Sequence, residues 1–350
     1  MLNAGKSSIF GIIYGLFLIL LTISVKTIIT WGQSAGVRSI STSEASQRLH
    51  AKDLVKDPYY ITGFSDGEAC FHISVLKNKN YKTGYAVLPI FSIQLHIKDH
   101  PLLEQIKNYF QVGTLLVKSN KTGNATVIYS IQSIKDINNY IIPHFDKYPL
   151  LTKKRADYLL FKEIINLMNN SRHLNLEGLR EILALKASMN KGLSDTLKKE
   201  FQIIPVLRPT ISNSSINKNW LIGFIEAEGC FICLVRKNIT HLIGFQVTLS
   251  FNLSQHTRDF NLMIQIKEFL GLGKIYENNS IVNLTITKKS EIDILISTIR
   301  GELRGAKILE FEDFVKIQEI INNDLHKTQK GLNQIIDIKK NMNYGRNVEK

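Results

Sequence analysis

The chain has 350 residues, 44% of them apolar, and 44 Lys and Arg outnumber 30 Asp and Glu, for a net charge of +14 and a pI near 9.5. The length suffices for two ordinary domains with their own cores, and the basic surplus favours polyanionic partners, nucleic acid first and anionic membrane second. Three cysteines, Cys70, Cys230 and Cys233, are an odd and sparse set that argues against a disulfide framework and fits a reducing compartment.

Residues 9–25, IFGIIYGLFLILLTISV, form an apolar run that continues past Lys26 to Trp31. It is long enough to cross a bilayer. No small-residue cleavage site flanks it, which argues against a signal peptide. A linker rich in Ser, Ala and Gly follows, from Gly32 to Gln47. Residues 1–54 are therefore an apolar extension and linker, either a transmembrane anchor or a segment foreign to the functional body. The basic character belongs to the body, because residues 1–54 hold five of the 44 Lys and Arg.

The body is written twice. Gly63 aligns with Gly223 and Gly113 with Gly273 at one offset of 160, and 18 of the 51 positions between are identical without a gap. Two similar half-domains about a pseudo-twofold axis are the natural arrangement. Asp57 and Pro58 start a short helix over Tyr59–Glu68. CFHISVLKNK and AVLPIFSIQLHI alternate as two strands, with Asn78–Gly84 as their turn. DHPLLEQIKNYF is an amphipathic helix with Leu102, Leu103, Ile106 and Phe110 on one face. GTLLVKSN and ATVIYSIQSI form a second hairpin, and helices follow over Ile137–Phe145 and Lys154–Met168. The order recurs from Asn219 to about Asn323. The divisions are 55–188 for the first half-domain, 189–216 for the interdomain linker and 217–345 for the second.

The short helix of each half carries the chemistry. Gly63 and Gly67 are four residues apart, as are Gly223 and Ala227, and residues so spaced share a helix face. Small residues there let two helix backbones meet, so these four are the expected interface. Docking the helices brings Glu68 and Glu228 together at one end. Two carboxylates facing each other and two negative helix ends are destabilising alone. A divalent cation reverses that sign, and hard oxygen ligands with open positions suit Mg²⁺. The lone CxxC, Cys230 and Cys233, points to opposite faces of a strand and is not a metal site.

GFSDGEACF and GFIEAEGCF resemble the two motifs of a monomeric LAGLIDADG homing endonuclease, a resemblance covering roughly residues 55–345 with MNKGLS before the linker and FEDF at 311–314. It implies an α+β fold of two pseudo-symmetric αββαββα half-domains. Their saddle-shaped antiparallel sheets straddle double-stranded DNA, and the motif helices pack at the interface. It implies Mg²⁺-dependent cleavage of both strands with staggered ends, Glu68 and Glu228 as metal ligands and catalytic acids, and a monomer. It also implies an intron-encoded protein of fungal mitochondria, which makes the matrix the expected compartment. Membrane association would then come only through the extension. An alternative is an RNA maturase that binds its own intron RNA. Two departures stand out. Ala69 occupies a position where the family usually has Gly, which would strain a backbone needing positive φ. Glu226 replaces the usual Asp, kept as Asp66, and is expected to support and not to catalyse.

Two-stranded ribbons fit the major groove. The expected DNA-binding residues are His72, Ser74, Asn78, Ser92 and Gln94 in the first half and Arg236, Asn238, Asn252 and Ser254 in the second. Lys153 and Lys154 are expected on phosphates, which would make binding salt-dependent. Lys274, beside the Gly273 turn, is expected near the cleavage centre as a catalytic cation.

Overall fold

In the computed structural model, residues 57–119, 125–211 and 215–342 are described. The apolar run and the rest of residues 1–54 lie outside them. Each half opens with its motif helix, α1 (Pro58–Glu68) in the first. Asp57 Oδ1 accepts from the Tyr59 amide at 2.8 Å, and Pro58 sits where no N–H is needed. Strands β1 (Ala69–Lys77) and β2 (Tyr85–His96) follow, then α2 (His100–Phe110), β3 (Thr114–Ser119) and β4 (Ala125–Ile131). A helical run, Ile134–Asp136, Ile137–Ile141 and Ile142–Lys147 (α3 together), takes π geometry in its middle segment. Pro143, which lacks an N–H to give the preceding turn, accounts for the widening. Helices α4 (Lys154–Asn169) and α5 (Leu176–Ala187) complete the half.

The second half repeats the plan. It comprises α7 (Lys218–Glu228), β5 (Gly229–Lys237), β6 (Phe245–His256), α8 (Phe260–Leu270), β7 (Lys274–Asn278), β8 (Ile281–Ile286), α9 (Lys289–Ile299), α10 (Lys307–Asn322) and α11 (Gln329–Lys340). Helices α5 and α11 are additions to the elements expected from sequence. Between the halves the connection is packed rather than loose. It holds α6 (Asp195–Glu200), buries Met189, Leu193, Leu197 and Phe201, and sets the Phe201 ring 5.3 Å from that of Tyr85.

Each sheet is antiparallel with matching order, β1-β2-β4-β3 and β5-β6-β8-β7. One face is core: Phe71, Ile73, Phe91, Ile93, Val127 and Tyr129 in the first, Phe231, Leu249, Phe251, Leu253 and Leu284 in the second. Helices cover those faces, and aromatic clusters around Phe71 and Phe231 tie α4 and α10 to their sheets. Among the described residues the opposite faces stay open.

Under the first sheet lies a buried histidine. His144 Nε2 is 3.1 Å from Thr62 Oγ1, and its Nδ1 is 3.1 Å from the Tyr109 hydroxyl. Burial pushes its pKa from 6.5 down to about 3. The unfolded chain therefore binds a proton that the folded chain refuses, so stability is full above pH 6.5 and is lost as pH falls towards 3. Urea titrations at pH 7 and pH 5 should differ by roughly 2 kcal/mol from this group, at about 1.4 kcal/mol per pH unit. A His144→Gln variant should show a flatter slope.

Candidate active site

The two motif helices touch along their backbones. A Cβ built on Gly63 would lie 1.9 Å from the Trp220 carbonyl oxygen, and one on Gly223 would lie 2.0 Å from that of Tyr60. Lower down, Gly67 faces the Ala227 methyl and the Glu228 side chain, its notional Cβ 3.4 Å from Glu228 Oε1. The helices end together, so Glu68 and Glu228 come out side by side, both half-buried. Desolvation, then the charge of Glu228, pushes the Glu68 carboxyl above its ordinary value. Ala69 and Gly229 both leave their helices extended, at φ −77° and −71°. Neither position needs positive φ, so the strain expected at Ala69 does not arise.

The other acid of each motif turns inward. Asp66 accepts from the Leu151 and Thr152 amides at 2.8 and 3.1 Å, from the Thr152 hydroxyl at 2.6 Å and from Trp220 Nε1 at 2.7 Å. Glu226 accepts from the Arg304 amide at 2.7 Å and the Tyr60 hydroxyl at 3.1 Å. These bonds pin the loops that start α4 and α10. Two further acids cross between halves: Asp259 accepts from the Lys153 amide and Asp99 from the Ala306 amide, at 2.7 and 2.8 Å. The loops are thereby aimed at the motif ends, each delivering a lysine.

Those lysines correct one expectation and supply one that was missing. Lys154 Nζ donates to the carbonyls of Ser65 and Gly67, at 3.0 and 2.8 Å, so it caps the end of α1 instead of lying out on a phosphate path. Burial pulls its pKa below the usual lysine value, against the pull of Asp66, Glu228 and Glu68. Lys307, its counterpart at the start of α10, donates to the Gly229 carbonyl. A cavity of about 520 Å³ gathers Lys307 with Glu68, Gln94, Lys98, Asp99 and Glu310. A second, of about 500 Å³, gathers Lys154 with Cys70, His72, Lys186, Arg208 and Arg258. Both mix residues of the two halves. In the second, the connecting segment contributes Arg208, whose guanidinium forks onto Asp157 at 2.8 and 2.9 Å. Lys154 and Lys307 are 153 residues apart, a faint second repeat (both open helices ending in Asn-Asn) that marks the missing residue in the sequence.

Lys274 does not join this centre. The register runs Cys230–Asn252–Thr285–Lys274 across the sheet, and β7 is the edge strand. Three strand spacings put Lys274 about 14 Å out from Cys230. It is exposed on the open face of the edge strand, away from the acid pair, which does not fit the expected catalytic cation. Asn78 and Asn238 also change role. Their side-chain oxygens accept from the amides two residues on, at 3.0 and 3.1 Å, and so build the hairpin turns. His72, Ser74, Ser92 and Gln94, and Arg236, Asn252 and Ser254, lie on the open faces. Lys153 spends its amide on Asp259 and leaves its side chain half-exposed.

The donor set suits a hard divalent cation. Among the described residues no cluster of three or more His, Cys, Asp or Glu forms a closed site. Two carboxylates, one with a raised pKa and both at negative helix ends, have Lys154 and Lys307 nearby, but those ammoniums also serve backbone carbonyls. That fits an ion which keeps several waters and takes other oxygens from a phosphate. The sign of the pH effect follows. Without metal, the contribution of Glu68 to stability falls as pH rises from 4.5, the ordinary Glu value, through its raised pKa, opposite in sign to that of His144. A cation held by the acids would restore it. Added Mg²⁺ should therefore raise Tm more at pH 8 than at pH 5, where protons compete. The increment should vanish when both acids are changed to Gln.

The LAGLIDADG endonuclease family matches residues 61–165 and 221–318. Over 305 residues the chain is 38% identical to a Neurospora crassa protein named probable intron-encoded endonuclease 2, covering 82% of this chain and 65% of that one. A second protein of that fungus, probable intron-encoded endonuclease 3, is 40% identical over 287 residues, covering 80% of this chain and 53% of that one. The chain thus spans between about half and two thirds of the length of these curated relatives. Its structure is similar to that of I-SmaMI bound to an uncleaved DNA target in the presence of calcium ions, with a TM-score of 0.78 at 38% identity, covering 82% of this chain and 98% of that one.

Proposed function

The chain belongs to the LAGLIDADG endonuclease family, and from that premise we propose that it is a site-specific DNA endonuclease. It acts as a monomer on double-stranded DNA and makes a staggered break in both strands. The proposed compartment is the mitochondrion, and the proposed metal is Mg²⁺ held by Glu68 and Glu228. The observation that carries this reading is the acid pair at the joined helix ends, flanked by Lys154 and Lys307 beneath two open sheets. When bound, the metal supplies positive charge to a scissile phosphate and lowers the pKa of water.

The protein's own contribution is positioning. Asp66 and Glu226 hold the α4 and α10 loops, so the two lysines keep fixed places beside the acids. Each ammonium neutralises helix-end carbonyls and leaves positive charge facing the site, where a phosphate gains charge during hydrolysis. The basic body steers DNA onto the sheets and makes binding fall with salt. The test uses the full chain, a duplex target recovered by selection, and Mg²⁺. Linear product with cohesive ends supports the reading. A chain that binds its target yet leaves it intact with Mg²⁺ and with Mn²⁺ overturns it.

A further inference from the structure

The two open sheet faces are chemically unlike, although their backbones match. Successive same-face positions of β2 hold Leu88, Ile90 and Ser92. The positions 160 further on in β6 hold Thr248, Ser250 and Asn252. Leu76 on β1 is matched by Arg236 on β5. On the outer strands Ile128 lies opposite Leu116 in the first sheet, where the second has Asn283 opposite Tyr276. The first face therefore shows five aliphatic side chains, and three of them are strongly exposed: Leu76 at 54%, Leu88 at 39% and Leu116 at 53%. Its one long amide or guanidinium among the described strand residues is Gln94. The second face keeps the half-buried Ile232 and Leu234 and exposes Tyr276 and Ile281 on its outer strands, but its inner strands present Arg236, Gln246 and Asn252, with Asn283 beside them.

Exposed leucine on a face that must meet a charged, hydrated duplex is costly unless an apolar partner waits there. The major groove offers one apolar group, the 5-methyl of thymine. Leucine and isoleucine form no hydrogen bonds, so against the amino groups of cytosine or adenine they strip water and return nothing. The second face can do at several positions what the first can do only at Gln94. Arg pairs with guanine, and Asn or Gln with adenine, through two bonds each.

We propose that the two half-sites of the target are read by different chemistry: the half under the first sheet by thymine methyl groups packed on Leu76, Leu88, Ile90, Leu116 and Ile128, the half under the second by hydrogen bonds from Arg236 and the amides. This rests on the endonuclease reading above and adds to it the composition of the substrate.

The experiment is a binding selection by the full chain from a random duplex library in Ca²⁺, followed by replacement of dT with dU, which removes only the methyl. In one half of the selected site dU should lower affinity about fourfold per thymine, and in the other half by less than twofold per thymine. The double variant Leu88→Thr, Ile90→Ser should lose the dU penalty at the bases it contacts, which also identifies the half. Equal penalties in the two halves, no penalty in either, or a penalty that persists in the variant overturns the inference while leaving the endonuclease reading intact. If no duplex is enriched, both fall together.

Discussion

A Glu228→Gln substitution is expected to lower the rate of double-strand cleavage by roughly 10³-fold or more, while the duplex is still bound in Ca²⁺. The amide keeps the shape and removes the charge. Two neutralising partners then face one acid, and the remaining carboxylate cannot hold a hard cation firmly enough to support a phosphate. The same change should raise the metal-free Tm. Glu68 is pushed up by burial and by Glu228, so removing the neighbour's charge relieves a repulsion that the folded state now bears. Activity and stability should move in opposite directions, the mark of a site held in tension for function. Plasmid linearisation, duplex binding and thermal melts of wild type, Glu68→Gln and Glu228→Gln measure all three. Near-normal cleavage by either variant would remove the acids from the chemistry. A lower metal-free Tm would show that the pair is structural.

This tension was legible in the sequence because the repeat itself exposed it. Two copies at one offset fixed which residues correspond, and four-residue spacing fixed which face of each helix meets the other. The strand faces were equally legible, since a period of two sorts Phe71 from Cys70 and Phe231 from Cys230 whatever surrounds them. What was hidden depended on paths between elements. Lys307 was missed because the second half reaches α10 in seven fewer residues, so the 160 offset no longer applies. Lys154 was seen, but its direction is set by Asp66 holding residues 151 and 152, a contact 85 residues long. Lys274 was misplaced because nearness in the chain to Gly273 says nothing about strand order, and β7 proves to be an edge. Helix α6 is six residues, too short for a period to declare itself.

The other large effect belongs to the helix pair. Gly223→Ala is expected to cost about 2–4 kcal/mol of folding stability, a large share of the roughly 5–15 kcal/mol typical of a domain. The added methyl would sit 2.0 Å from the Tyr60 carbonyl oxygen and 2.8 Å from the Phe64 amide nitrogen, and neither is a side chain that can rotate away. The helices must separate. Separation loosens Gly67 against Ala227, and also the shielded contact of Gly63 with Trp220, so the cost spreads along the pair. About 1 kcal/mol returns from the better helix propensity of Ala. The useful contrast is Gly229→Ala. Its backbone has φ −71° and ψ 142°, nearly that of Ala69 at −77° and 153°, and Ala69 already carries a methyl there. A methyl on Gly229 would still lie 2.7 Å from the Ile225 carbonyl oxygen and 3.0 Å from the Phe251 ring, a milder approach than at Gly223, so Gly229→Ala should cost about 1–2 kcal/mol, less than Gly223→Ala. Urea unfolding of the two variants grades the cost by closeness of approach. Cleavage then tests the link to function, because an axial shift of even 1 Å at Gly223 moves Glu228 relative to Glu68 and should slow cutting about 10²-fold in whatever protein still folds.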